Sequence, residues 1–325
     1  MSTRNDIARY AGVSTATVSR VLNNMEAVSP KLRERVLKAV EELNYRPNLT
    51  AKGLKTQRSY NIAYLIPDIT NPYYTEIYKG INQTVAPSGY TCSLIEAAVV
   101  QSYENLFKQR FDGVICAIDM DEKLKAAIID LNIPTVMQSE ECINWGLQKC
   151  VCVTHNLKDA MFQAFDYILS KGHKNIGLIT QKKQGCSRLS LYMDAINKYG
   201  LEYTPETVVE YTGQPYHYLA GYSAMKELIN KSKGISAVIA QNDLVAIGAI
   251  SAASKHGYVC PDNISFLGCD DTVAAHYCVP PLTTIKLFKE KQGVKSAQLL
   301  LEMIEGKTVE NYEFKAELVV RDSIV

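Results

Sequence analysis

The chain has 325 residues, 47% of them apolar, and a formal net charge of only +1, which gives it length for two or three domains with sizeable cores. The small net charge hides an asymmetry: residues 1–60 carry eleven Lys and Arg against five Asp and Glu, and the remaining 265 carry 24 against 29. Cationic charge is thus concentrated at the N-terminus, where it can neutralise phosphate, and the rest has no electrostatic reason to touch DNA.

Thr3 followed by Asp6 makes a capping box that starts a first short helix. Ala8 and Gly12 are small where two helices must cross, and Gly12 can take the positive φ of a sharp turn. Val13, Val18 and Val21 or Leu22 supply an apolar face, and Ser14 is placed to cap a second helix in which Thr15, Ala16, Thr17 and Ser19 form a small polar surface ending in Arg20. Such a helix pair fits a helix-turn-helix, with Thr15, Ala16 and Arg20 against base edges in the major groove. After the loop that begins at Asn23, Ser29-Pro30 reads as N-cap and first residue of a third helix reaching about Leu43. Leu32, Val36, Leu37, Val40 and Leu43 fall at helical spacing to cover the first two. Residues 46–60 have linker composition. A helix from Leu49 to Lys55, capped by Asn48, is too short to hold in water unless a partner chain or DNA supports it.

From Asn61 the pattern becomes apolar strand, turn, amphipathic helix, repeated. Strands are expected at 62–66, 91–95, 113–118, 135–137, 150–153, 176–180, 237–240 and 264–268, their nearly continuous apolar runs implying cover on both faces. Gly89, Gly172, Gly200 and Gly257 each stop a helix before a strand. This is a βαβ chain and so a doubly wound parallel sheet, and about 260 residues is too much for one such sheet, so two facing subdomains are expected. Open parallel sheets bind ligands beyond the carboxyl ends of their strands, which singles out 68–74, the segment before Arg188, 241–243 and 269–271. Nine cysteines at irregular spacings, the closest being Cys150 and Cys152, read as buried thiols and not as a metal site. With no apolar signal region and no run of 18 apolar residues, a cytoplasmic protein away from the membrane is expected.

The segments Asp6-Ile7-Ala8, Ala11-Gly12-Val13-Ser14, Thr17-Val18-Ser19-Arg20-Val21-Leu22-Asn23, Leu43-Asn44-Tyr45-Arg46-Pro47-Asn48, Asp270-Asp271 and Pro281-Leu282-Thr283-Thr284-Ile285 resemble, in order and over essentially the whole chain, the lactose and galactose repressor family of bacterial transcription regulators. The resemblance implies an all-α helix-turn-helix head, a hinge helix, and an α/β core of two doubly wound parallel-sheet subdomains like the periplasmic sugar-binding proteins. The corresponding domains are 1–46, 47–59, 60–155 plus 287–314, and 156–286 plus 315–325. It implies a homodimer on a roughly palindromic double-stranded DNA operator, with Thr15, Ala16, Thr17, Arg20 and Asn23 in the DNA-binding set and Leu54 as the hinge leucine wedged into the minor groove. It also implies a small effector in the cleft, of sugar type, held by Asn71, Tyr73, Tyr74, Arg188, Tyr216, Asn242 and Asp270. These residue types suit a polyol, since Arg and Asp can each engage two adjacent hydroxyls and an aromatic ring covers the apolar face of a pyranose.

The chain departs from the family pattern in a short 96–111 segment, in His155 where many members carry Asp, and in Leu191 where they carry Gly. A purine or a phosphorylated carrier protein as corepressor stays open as the input. An enzyme is disfavoured: there is no G-x-G-x-x-G after the first core strand, no G-x-S-x-G, no H-E-x-x-H, and five scattered histidines, so no catalytic residue, metal or cofactor is expected.

Overall fold

The computed structural model describes residues 2–22, 28–45, 56, 58–100, 102–108, 110–118, 121–139, 149–182, 187–212 and 218–325. The chain forms two compact units, 1–59 and 60–325. In the first, α1 (Arg4–Ala11), α2 (Thr15–Leu22) and α3 (Pro30–Glu42) enclose Ile7, Ala8, Ala11, Val18, Val21, Val36, Ala39 and Tyr45. The capping box is complete, with Thr3 and Asp6 bonded reciprocally, and Gly12 ends α1 at φ 60° with its N–H on the Ala8 carbonyl. Ser14 Oγ accepts from the Thr17 amide at 3.1 Å, starting α2 as its position requires. The expectation for α3 needs two corrections. Ser29 occupies the N-cap without a side-chain hydrogen bond, and Leu37 is 51% exposed because Val36 and Ala39 already fill the side of α3 that faces the other helices.

The second unit holds two six-stranded sheets. The first contains β1 (Asn61–Ile66), β2 (Thr91–Glu96), β3 (Gly113–Cys116), β4 (Thr135–Met137), β5 (Cys150–Asn156) and β11 (Tyr312–Lys315), in the order β11-β5-β4-β3-β1-β2. The second contains β6 (Ile176–Gln181), β7 (Val208–Tyr211), β8 (Ala237–Ala240), β9 (Ser265–Asp270), β10 (Thr283–Lys286) and β12 (Glu317–Val319), in the order β12-β10-β9-β8-β6-β7. Every pairing is parallel except β10 with β12, which is antiparallel at the sheet edge. Helices α4 (Pro72–Val85), α5 (Tyr103–Phe107), α6 (Glu122–Leu131) and α12 (Lys289–Ile304) belong to the first lobe. Helices α7 (Lys158–Ser170), α8 (Ser187–Tyr199), α9 (Tyr218–Lys231), α10 (Asp243–Lys255) and α11 (Val273–Tyr277) belong to the second.

Each lobe has core on both faces of its sheet, as the continuous apolar strands require. The short 96–111 segment carries a 3-10 turn at Ala97–Val99 and the five-residue α5 between β2 and β3. The chain passes between lobes three times: after β5, after β10, and at Ala316 between β11 and β12. The first two passages touch, since the Phe288 amide donates to His155 Nε2 at 3.1 Å. Cys92, Cys116, Cys150, Cys260, Cys269 and Cys278 are free thiols, but Cys152 departs from expectation in being disulfide-bonded.

Candidate functional site

In the first unit, Thr15, Ala16 and Arg20 are all exposed on α2, the two small residues in its first turn and the arginine in its last. Thr17 is half-buried and its hydroxyl shares a 2.9 Å hydrogen bond with Ser14, so it helps to build the helix start. Arg35 donates to the carbonyls of Ala11 and Gly12 and thereby braces the turn from α3. A Cβ at residue 12 would meet only the far end of the flexible Arg35 side chain, at 2.8 Å, so it is the positive φ that calls for glycine there. The result is a rigid helix end with a low, uncharged surface and one long cation, a shape that can enter a major groove. Asn23 and Leu54 lie outside the described residues.

In the second unit, a cavity of about 160 Å³ opens between the lobes at the carboxyl ends of the strands. Asn71, Tyr73, Tyr74, Arg188, Asn242 and Asp270 all line it, although they come from four different segments. Tyr216 lies outside the described residues. Asn71 caps α4 through a 3.0 Å bond from the Tyr73 amide, and Asn242 caps α10 through a 3.0 Å bond from the Val245 amide, so both side chains are locked by the turns that carry them. Tyr73 donates its hydroxyl to Gln292 Oε1 at 3.1 Å and meets the Tyr74 ring edge to face, centroids 5.1 Å apart.

Arg188 enters from α8. Its Nε donates to the Gln241 carbonyl at 3.4 Å and its Nη2 to Cys269 Sγ at 3.2 Å. Asp270 ends β9 at φ 111°, in a conformation an L-residue adopts only when its surroundings dictate it. Burial, then the neighbouring Asp243 charge, pushes the Asp270 carboxyl well above its ordinary range, and the Arg188 and Lys289 charges oppose the rise. Asp243 points away from the cavity lining: it accepts from the Thr272 amide at 2.7 Å, from the Thr272 hydroxyl at 2.9 Å and from the Thr284 hydroxyl at 2.6 Å, so it ties three segments of the second lobe together. Burial raises its pKa to about 6 despite those bonds.

Several lining residues escaped the sequence reading. Gln138 and Ser139 follow the expected strand 135–137, so the strand-end rule applied there would have found them, whereas Ala117 falls inside the expected strand 113–118 and Leu287 follows β10, which the sequence did not show. Gln138 is held by Tyr64, whose hydroxyl donates to Oε1 at 3.1 Å, and by Ser296, which accepts from Nε2 at 3.3 Å. Lys289 left no sequence signal at all. Starting α12 in the first lobe, it crosses to the second, donating to the carbonyls of Asp270 and Asp271 while pairing with Glu76 at 3.4 Å. The pKa of His155, which is half-buried beside the first passage and stacked on Phe314 at 5.3 Å, is held down to about 4 by desolvation and by the Arg188 and Lys289 charges. Among the described residues no cluster of His, Cys, Asp and Glu could hold a metal ion, and no helix is long and apolar enough to cross a membrane.

A helix-turn-helix unit joined to a two-lobed core with a polar cleft defines a class: ligand-binding cores attached to a DNA-reading head. The comparisons with known proteins agree. Residues 3–48 match the model for bacterial regulatory proteins of the lacI family, and residues 165–324 match the periplasmic binding protein-like domain. The HTH-type transcriptional repressor PurR of Pasteurella multocida (strain Pm70) is 32% identical over all of this chain and 99% of its own. The Lac repressor dimer bound to operator and the anti-inducer ONPF superposes with a TM-score of 0.81 at 27% identity, over 99% of this chain and 98% of that one. A transcriptional regulator CelR–cellobiose complex does so with a TM-score of 0.74 at 27% identity, over 99% of this chain and 100% of the other. The chain belongs to the lacI family of bacterial regulatory proteins, and it is a DNA-binding transcription regulator.

Proposed function

We propose that the protein is a cytoplasmic repressor, without catalytic activity, that binds a roughly palindromic operator as a homodimer and is controlled by a small sugar-type effector in the cleft between its lobes. In this reading residues 1–46 are the DNA-binding domain and 47–59 the hinge, with Leu54 the minor-groove wedge. Residues 60–155 plus 287–314 and 156–286 plus 315–325 form the two subdomains. Thr15, Ala16, Thr17, Arg20 and Asn23 face DNA, and Asn71, Tyr73, Tyr74, Arg188, Tyr216, Asn242 and Asp270 hold the effector.

The observation that carries the reading is the convergence of Asn71, Tyr73, Tyr74, Arg188, Asn242 and Asp270 on one cavity. A cation, a carboxyl, amides and phenol rings confined to that space match the alternating hydroxyls and apolar face of a sugar. The CelR–cellobiose complex supports the same ligand class. Because residues of both lobes line the cavity, an occupant has different contacts in open and closed cores and so shifts the balance between them, which is what couples it to the head. Thermal denaturation with sugars, sugar phosphates and purines tests it: a bound ligand at 100 times its dissociation constant adds about 2.7 kcal/mol of stability. The expected outcome is an upward shift with a sugar that Arg188→Ala abolishes. A shift with purines alone replaces the effector class, and no shift with any of the three overturns the cleft assignment.

A further inference from the structure

An open groove of about 710 Å³ lies outside the cleft, along the start of α12, with the volume of a small-molecule site. Its apolar wall is aromatic. Phe314 stands between Phe288, with centroids 6.4 Å apart, and Tyr312, met edge-on at 4.8 Å. Lysines overhang these rings: Lys286 and Lys291 lie 5.5 and 4.8 Å from the Phe288 centroid, and Lys295 lies 4.8 Å from that of Tyr312.

Of the acids in the lining, Glu290 pairs with Lys79 and Asp271 with Arg321, while Glu76 pairs with Lys289 through Oε2 and leaves Oε1 without a hydrogen bond to any described residue. Among the described residues none of Lys286, Lys291 and Lys295 has a carboxylate at ion-pair distance, so the groove combines a ring-lined wall with a cationic rim that nothing neutralises. A ligand able to use both features has a flat ring to pack on the aromatic wall and an anionic group to exchange weak ammonium–ring contacts for charge-assisted hydrogen bonds. Concavity and size favour a small molecule over a protein surface.

We propose that this groove is a second ligand site, distinct from the cleft, for an aromatic compound carrying phosphate or carboxylate. Its place adds a consequence. Leu287 lines both cavities, and Phe288 belongs to the second passage between lobes while Phe314 precedes the third, so an occupant bears directly on the segments about which the lobes turn.

Calorimetric titration of the full chain tests this, with adenosine 5′-monophosphate and pyridine-2,3-dicarboxylate as probes and adenosine, inorganic phosphate and polyglutamate as controls. At least one ring-bearing anion is expected to bind. The double substitution Lys291→Ala, Lys295→Ala should weaken it about tenfold or more at an unchanged melting midpoint, and Arg188→Ala should leave it intact. Binding untouched by the lysine substitutions, or lost in Arg188→Ala, overturns the site. So does inorganic phosphate binding as tightly as the ring compounds. If neither ring anion binds, the proposal also fails, and lysine-dependent binding of polyglutamate alone would assign the groove to an acidic protein.

Discussion

His155 is half-buried with its Nε2 accepting the Phe288 amide, a role that needs the neutral ring. Its folded pKa is about 4, against an ordinary value of about 6.5. Between those pH values the unfolded chain holds a proton that the folded chain does not, so acidification from 6.5 to 4 destabilises the fold through this group by about 3 kcal/mol. Asp243 acts oppositely: its folded value of about 6 means the folded chain keeps a proton that the unfolded chain has lost, and stability through this group falls as pH rises from 4 to 6. His155→Gln can preserve an acceptor for Phe288 while removing the first effect. The stability gap between wild type and variant, from urea denaturation at a series of pH values, should grow in favour of wild type from pH 4 to 6.5. A constant gap would show that His155 is not held neutral. On the DNA-reading surface, Arg20→Ala should erase the preference for operator over random DNA, about 1–3 kcal/mol at the base it reads, in a binding titration. Unchanged specificity would remove Arg20 from the readers. Both tests concern side chains singled out from sequence, but the reasons differ. Arg20 was legible because its neighbours in α2 define its face, whereas what matters about His155 is a bond to residue 288, beyond the reach of local spacing.

Between elements, the tightest constraint in the second lobe is the crossing of α9 and α10. A Cβ on Gly221 would lie 2.0 Å from the Val245 carbonyl oxygen, and one on Gly248 would lie 2.0 Å from that of Tyr218. Gly221→Ala therefore has to separate two helices at a backbone contact, and a loss of about 3 kcal/mol is expected, read as a lower urea midpoint with unchanged slope. A neutral effect would mean the helices can slide apart freely. The long apolar strands and the glycine helix stops were legible because each needs only its own neighbours. Strands β7, β10, β11 and β12 were not. β11 is mostly exposed along its length, and β10 begins with two threonines that a hydropathy reading counts as polar. Their hydroxyls are buried because Thr283 donates to the Arg321 carbonyl and Thr284 to Asp243, partners 38 and 41 residues away.

For the whole molecule, the second lobe exposes apolar side chains on α11 and the turn that follows it, where Val273 is 59%, Tyr277 82% and Val279 89% exposed. Such a patch on a water-facing surface marks an association site, and in a homodimer it would meet its own copy. The pair Tyr277→Asp, Val279→Asp should give a folded monomer by analytical ultracentrifugation and weaken operator binding, because two linked heads act at high effective concentration and one does not. A dimer that survives both substitutions places the interface elsewhere. Sequence by itself determined the three-helix head, the alternation of strand and helix, and the strand-end segments that hold Asn71, Asn242 and Asp270, with Arg188 added by the family resemblance. Tertiary structure alone decided that Lys289 reaches across the cleft to the Asp270 and Asp271 carbonyls, that Asp243 binds Thr272 and Thr284, and that a ring-walled groove lies beside the passages between lobes. The division has one physical cause. Periodicity, capping and turns act between residues a few positions apart and leave a pattern in the chain, whereas these contacts join segments whose meeting depends on how two whole sheets are stacked and crossed.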